Sequence, residues 1–352
     1  MANFSIQNIA LKGLAVAVPE NKKVNSESNF FSKEDIEKFT ATTGVSEFRS
    51  ADKATTTADL GFEAAQKLIL EMNIDKNDID VLIFVSQTPD YNNIPNTAPI
   101  LQNRLGLSKS CLAFDLPLGC SGFVYGLSTL ASYLQNPGLK KGLLICGDTL
   151  SKIVGEEDKS TALLFGDAAS AAIIERTESK AEIHFNMGSD GSGYEAIMIK
   201  DGGSRHQFND NSLDVVDYGG EIKRNQCELA LDGMDVFSFG ITQAPKSVKE
   251  LVAFADINSE EIDFAVFHQA NLMMNEMIRK KLKLDKSKVP YSLSKFGNTS
   301  STSIPITMVT ELKDQLQNGV NNLLLCGFGV GLSWGSCYLK TENLTVLDLI
   351  EI

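Results

Sequence analysis

Ile74-Asp75-Lys76-Asn77-Asp78-Ile79-Asp80-Val81-Leu82-Ile83-Phe84 is matched later in the chain by Ile257-Asn258-Ser259-Glu260-Glu261-Ile262-Asp263-Phe264-Ala265-Val266-Phe267, an offset of 183 residues (257 less 74). A second pair, Leu143-Leu144-Ile145-Cys146-Gly147 and Leu323-Leu324-Leu325-Cys326-Gly327, follows in the same order at an offset of 180 (323 less 143). Two ordered matches at nearly equal offsets point to a duplicated unit of about half the chain. In each copy an amphipathic helix (Leu60 to Met72; Phe237 to Phe254) precedes a buried strand (Val81 to Val85; Phe264 to Phe267). A second helix follows (Ala98 to Leu105; Leu272 to Leu282), then a third (Phe123 to Leu134; Ile304 to Leu316) and an apolar strand (Gly142 to Cys146; Asn322 to Cys326). Uninterrupted apolar strands alternating with helices predict an α/β protein with largely parallel sheets covered on both faces. Two such halves, residues 1–180 and 181–352, stack into a five-layer α/β/α/β/α body. The polar Gly/Asp/Asn-rich stretch at about 200–230 is expected to be an inserted surface loop.

A chain of 352 residues with 43% apolar content can bury a large core. Its net charge of −13 argues against general nucleic-acid binding, which needs a basic face. No run of 18 apolar residues occurs, so no membrane span is expected. The first twenty residues carry no basic leader followed by a cleavage site, which predicts a cytoplasmic protein. The six cysteines form no C-x-x-C pair and the three histidines are scattered. Reduced thiols and no structural metal are therefore expected.

In open parallel sheets, ligands collect beyond the carboxyl ends of the strands. Four segments open there. Cys120 lies in Leu118-Gly119-Cys120-Ser121-Gly122-Phe123, between the strand-like run Leu112 to Leu116 and a helix. A thiol at the first turn of a helix faces unpaired N–H groups and the positive end of the dipole, and both favour thiolate. The strand Phe264–Phe267 runs into His268; Gly297-Asn298-Thr299-Ser300 opens a helix; Leu323–Leu325 leads to Gly327-Phe328-Gly329-Val330-Gly331. Singly, each has a plain structural reading: a packed cysteine, a strand-end histidine, a helix cap, a tight turn. Jointly they predict a thiol-based acyl-transfer site. The sulfur would take an acyl group from a thioester, and the backbone N–H groups of Cys120 and of Gly329, Val330 and Gly331 would hold the oxyanion.

The segments GCSGFVYGL (119–127), LLFGDAASA (163–171), FHQANL (267–272), FGNTSSTSIP (296–305) and GFGVGLSWGS (327–336) resemble the thiolase superfamily, and within it the ketoacyl-acyl-carrier-protein synthase III family. The likeness runs in order over nearly the whole chain. It implies a thiolase-like fold, a homodimer, no metal or organic redox cofactor, and a place in fatty-acid biosynthesis. It carries the family's catalytic Cys, His and Asn onto Cys120, His268 and Asn298. The implied reaction joins the acyl group on Cys120 to a malonyl thioester with loss of CO2. His268 and Asn298 would then hydrogen-bond the thioester oxygen on which enolate charge develops. Phe123, Leu164, Phe165 and Leu231 are expected to line the acyl pocket, unless they serve only the core.

Several positions depart from the family pattern. A tryptophan and an arginine that grip coenzyme A in many members are Lys38 and Thr42 here. That weakens acyl-CoA as the primer and leaves acyl-carrier protein. Met273 stands where a carrier-docking arginine is frequent, but Arg279, Lys280, Lys281 and Lys283 follow. They form the expected docking patch for an acidic carrier, or else a helix end complementing its own dipole. In the 88–95 loop, Ile94 replaces a phenylalanine that reaches into the partner's pocket, which predicts room for a longer or branched acyl group. Three other functions remain open. One is acyl transfer from Cys120 to an amine or hydroxyl. Another is a 3-hydroxy-3-methylglutaryl-CoA synthase-like reaction, for which only Asp90 offers a carboxylate base. The last is a non-catalytic partner subunit.

Overall fold

Both copies of the repeat fold around the same parallel pair of strands in a computed structural model, which describes residues 1–92, 94–178 and 180–352. Asn93, inside the 88–95 loop, lies outside the described residues. Along the chain the main strands are β1 (Ala2–Gln7), β2 (Ile9–Val18), β3 (Val81–Val85), β4 (Leu112–Leu116), β5 (Lys141–Asp148) and β6 (Ala168–Arg176). They continue as β7 (Glu182–Ser189), β8 (Phe264–Phe267), β9 (Val320–Gly329), β10 (Ser333–Glu342), β11 (Thr345–Val346) and β12 (Ile350–Glu351). The principal helices are α1 (Thr57–Glu71), α2 (Thr97–Leu105), α3 (Gly122–Tyr133), α4 (Gly233–Phe254), α5 (Leu272–Leu282) and α6 (Ser303–Glu311). In the first half β3 pairs in parallel with β5, Val81 opposite Gly142; in the second β8 pairs in parallel with β9, Phe264 opposite Leu323.

The seven-stranded sheet has the order β11-β2-β6-β5-β3-β4, with β12 also on β2, and the five-stranded sheet the order β1-β7-β10-β9-β8. The sheets are mixed, which corrects the expectation that they are largely parallel. β5 with β6, β6 with β2, β9 with β10 and β10 with β7 are all antiparallel. The apolar run in β6 arises because helices cover both faces of the sheet, and that burial is indifferent to strand direction. Nor do the strands respect a boundary at 180/181. β1 joins the second sheet through β7, while β11 and β12 join the first through β2.

Three sets of helices complete the five layers. α1 and α2 cover the outer face of the larger sheet, α3 and α6 lie between the sheets, and α4 and α5 cover the outer face of the smaller one. α1 begins at a capping box between Thr56 and Asp59 and buries Leu60, Ala64 and Leu68 at four-residue spacing. α3 is sandwiched between the sheets, so Phe123, Val124, Leu127 and Leu130 are all fully buried in the central core. The helix expected over Ile304 to Leu316 is two helices, α6 and a short one at Lys313–Gln317, because Leu312 leaves helical geometry at φ −126°. The stretch at 200–230 is mostly exposed and holds a small hairpin, Val216–Asp217 with Lys223–Arg224. Arg224 ties it to the fully buried Asp158 carboxylate at 2.9 Å. No helix among the described residues is long and apolar enough to cross a membrane.

Truncating the middle layer should be costly. Leu127→Ala is expected to destabilise the fold by roughly 2–5 kcal/mol. Leu70→Ala, on the outer side of α1 and 69% exposed, should stay within about 0.5 kcal/mol. Thermal denaturation of both checks this, and equal melting temperatures would refute the assignment of α3 to the core.

Candidate active site

A 330 Å³ cavity opens where the four sequence segments meet, and Cys120, His268, Asn298, Gly329 and Val330 all line it. Cys120 sits two residues before α3, in a turn closed by Gly122 N–H donating to the Gly119 carbonyl at 2.7 Å. The turn is pressed against the end of β9. A Cβ on Gly329 would lie 2.6 Å from the Cys120 Cβ and 3.0 Å from its sulfur, so only glycine permits this approach. Ser121 Oγ and Ser333 Oγ, 2.8 Å apart, join the two turns, and Ser333 Oγ also donates to the Val330 carbonyl at 2.8 Å. The Cys120 N–H finds no carbonyl partner among the described residues and faces its own sulfur. Gly331 continues this turn at φ 130° but does not line the cavity.

His268 follows β8 directly, with its N–H donating to the Cys326 carbonyl at 2.8 Å. Its ring is 2% exposed, stands edge-on to Phe328 with centroids 5.4 Å apart, and meets Ser303 Oγ through Nδ1 at 2.7 Å. Burial pushes its pKa down to about 3, against a hydrogen bond to the Ser300 backbone that raises it. At neutral pH the ring is uncharged. Asn298 is fixed across the two halves: its N–H donates to the Leu164 carbonyl at 2.9 Å and its own carbonyl accepts from Gly166 at 3.1 Å. The Asn298 Oδ1 accepts from Ser300 N–H at 3.0 Å, and its amide nitrogen has no acceptor among the described residues.

Ser300, which the sequence shows only as part of the turn opening a helix, joins the three expected residues. Its backbone takes a left-handed φ of 50°, and the residue contacts all three others: its N–H the Asn298 amide, its backbone the His268 ring, its Oγ the Cys120 sulfur at 4.0 Å. Non-glycine residues pay strain in that region, and the surrounding contacts must hold it there. The expected thiolate character of Cys120 does not follow from the surroundings. Burial first, and then the negative charge of Asp148, push the thiol up to about 12, with the Ser300 hydroxyl opposing. The carboxylate near the sulfur is thus Asp148 at the end of β5, and not a residue of the 86–92 loop.

Away from the sulfur the cavity is apolar. Leu164, Phe165 and Leu231 line it, together with Leu150, Ile153, Ile197 and Val236, which had no signal beyond ordinary core composition. Phe123 does not line it: α3 turns that ring into the core between the sheets, where it is fully buried. Ile94 is 88% exposed and contributes nothing to the cavity of its own chain. The basic group at the end of α5 divides. Arg279 is half-buried, with its Nη2 on Glu276 at 2.8 Å and its Nη1 on the Leu284 carbonyl at 2.7 Å, so it is not free for docking. Lys281 donates to the Ile241 carbonyl, while Lys280 and Lys283 are exposed.

Known proteins share this architecture. A family model described as 3-oxoacyl-[acyl-carrier-protein] synthase III matches residues 114–191, and the model of that family's C-terminal part matches 252–341. A putative 3-oxoacyl-[acyl-carrier-protein] synthase 3 of Campylobacter jejuni is 36% identical over 97% of this chain and 96% of its own length. The beta-ketoacyl-[acyl-carrier-protein] synthase III of Fusobacterium nucleatum is 34% identical over 95% of this chain and 99% of its own. The crystal structure of a 3-oxoacyl-(acyl-carrier protein) synthase from Burkholderia xenovorans LB400 superposes with a TM-score of 0.94 at 36% identity, covering 100% of this chain and 99% of the other.

The buried imidazole makes a prediction about acid stability. Unfolded His268 takes up a proton near 6.5, the folded one only near 3, so between those values the unfolded chain binds more protons and stability falls as pH drops. Asp148 works in the opposite sense, since its folded pKa is raised. His268→Asn should therefore lose less melting temperature than the wild type between pH 7 and pH 5, a difference of about 2 kcal/mol at pH 5. Parallel losses would contradict a neutral, buried His268.

Proposed function

The chain belongs to the 3-oxoacyl-[acyl-carrier-protein] synthase III family, and we propose that it condenses an acyl group held on Cys120 with a malonyl thioester, releasing CO2 and a β-ketoacyl thioester. The single observation that carries this reading is the convergence of Cys120, His268 and Asn298 on one cavity, polar at the sulfur and apolar beyond it. Attack by sulfur on the first thioester develops negative charge on its carbonyl oxygen. The N–H of Cys120, without a carbonyl partner among the described residues, and the backbone of Gly329 and Val330 beside the sulfur would receive it. In the second step the malonyl carboxylate leaves as CO2 and the charge moves onto the thioester oxygen. In the tautomer whose Nδ1 accepts from the Ser303 hydroxyl, the neutral His268 ring would carry its proton on Nε2 and donate it into the cavity that Asn298 also lines. The carbanion then attacks the acyl-Cys120 carbonyl. A neutral imidazole suits this role, since the step needs a fixed donor and no proton transfer from the ring.

The scheme needs neither metal nor redox cofactor, and a cytoplasmic acidic carrier protein is the donor of the malonyl group. Exposed Lys280 and Lys283 remain to meet that carrier, at the far end of α5 from the cavity. A homodimer forms along the open edge of β4. The Asp115 carboxylate of that strand accepts from Thr97 and Ala98 N–H, each at 2.7 Å, which anchors the loop bearing Ile94 to the same edge. A second copy on that edge would receive Ile94. Acyl transfer from Cys120 to an amine or hydroxyl is the second reading, and CO2 release separates the two.

Intact mass after exposure to acyl-CoA and acyl-carrier donors should show an adduct that Cys120→Ala abolishes. His268→Ala and Asn298→Ala should keep acyl loading but lose malonyl decarboxylation by on the order of 10²-fold or more. Wild-type decarboxylation in either variant removes the role assigned to it. Ile94→Phe should slow acylation by a decanoyl donor more than by an acetyl donor; equal rates for both would exclude Ile94 from the partner's pocket.

A further inference from the structure

Asp148 closes β5 and is fully buried, yet the condensation scheme gives it no task. Its Oδ1 is saturated: Ser86 Oγ donates at 3.1 Å, Gln87 N–H at 2.7 Å, Thr88 N–H at 3.1 Å and Thr88 Oγ1 at 3.2 Å. These bonds pin the 86–88 loop and account for one oxygen. Oδ2 is equally buried and has no hydrogen-bond partner among the described residues. An orphaned carboxylate oxygen in a dry interior is costly and asks for an explanation.

What faces the carboxyl narrows the answer. The titratable groups beside it are the thiols of Cys120 and Cys146, and no cation is among the main influences on it. Ser86 and Thr88 face it from the loop after β3, Ala168 from β6, and Ser300 from the turn before α6. The Ser300 hydroxyl stands close enough to favour the charged carboxylate but closes no hydrogen bond to Oδ2, and its other neighbour is the Cys120 sulfur at 4.0 Å. One hydroxyl therefore lies between a nucleophile that must shed a proton and an oxygen that lacks one.

We propose that Asp148 receives the Cys120 proton through the Ser300 hydroxyl and returns it when the sulfur is released. The proposal rests on Cys120 being the nucleophile. As the S–C bond forms, the S–H proton passes to Ser300 Oγ, which hands its own to Asp148 Oδ2. The departing donor thiolate takes a proton from water. When the carbanion breaks the S–C bond, the freed thiolate recovers the proton from Asp148 by the same route. Water supplies one proton per turnover, and the malonyl carboxylate leaves as CO2. Asp148 acts through Ser300, and so is a positioning residue for the proton rather than a group that touches substrate. Its basicity suits the role: burial raises it to about 6, whereas His268 is pushed to about 3 and the thiol to about 12. Of the two acceptors near the sulfur, the carboxylate is the stronger base.

Alkylation of Cys120 by iodoacetamide tests this without any thioester, because carbon–sulfur bond formation again requires loss of the thiol proton. The rate, read by peptide mass on the full chain, should rise through pH 6 and level off by pH 8 in the wild type. Asp148→Asn keeps an acceptor for the loop but cannot take a proton, and Ser300→Ala interrupts the path. In both, alkylation at pH 7.5 should fall at least tenfold and climb about tenfold per pH unit without levelling. If either variant does not fold, the wild-type profile still decides: a steady climb past pH 9 overturns the proposal. Faster or equal alkylation of Asp148→Asn overturns it too, as expected if the carboxylate only repels thiolate. A levelled profile in a protein that takes no acyl adduct from any thioester sinks the condensing reading and supports the proton path.

Discussion

The backbone of Ser300, held at a left-handed φ, is the constraint on which the site depends. It lets one residue present its N–H to Asn298, its backbone to His268 and its hydroxyl to Cys120. Those three come from separate parts of the chain, and only Asn298 is near Ser300 in sequence. A regular helical start at residue 298 would aim these groups along one axis. The strained turn spreads them over three directions. Its cost is offset by bonds that cross between the halves, including both backbone groups of Asn298 on the 164–166 segment.

Electrostatically the site is unusual for holding its imidazole and its thiol in their neutral forms. The imidazole is stripped of basicity by burial, the thiol is discouraged from ionising, and a carboxyl lies close by without a compensating cation. A charged histidine there would attract the malonyl carboxylate and oppose its departure as CO2. A neutral ring leaves that group free to go, while still offering a donor where charge appears later. Neutrality at rest and fixed donors are two results of one cause, the burial of the His268 ring and the polar backbone between the packed layers.

Much of this was legible in the sequence, for identifiable reasons. The duplication shows because buried strands at equivalent positions need the same apolar residues, so Val81–Val85 and Phe264–Phe267 keep matching neighbours. The positions of Cys120, His268 and Asn298 are legible because each follows or opens an element whose ends the pattern defines. Strand direction in β6 and β10 was not legible, because an apolar run reports burial on both faces and says nothing of the return path. Phe123 misled for a related reason: beside Cys120 in sequence, it lies on the face of α3 that turns to the core. Arg279 looked free because its partner, Glu276, is three residues earlier on the same helix, where an ion pair and a docking cation give one pattern. The roles of Asp148 and Ser300 carried no signal, since they depend on a proximity across 152 residues of chain (300 less 148).

The crossing of the chain's two ends has a consequence for biogenesis. β1 belongs to a sheet whose neighbouring strand starts at Glu182, and the larger sheet lacks its outermost strands until Ile350–Glu351 has left the ribosome. Neither half can finish its hydrogen bonding as a nascent fragment. Two sheet edges must therefore wait unfinished while the intervening residues are made, and the 345–351 segment is the latch that closes a layer begun at Ile9.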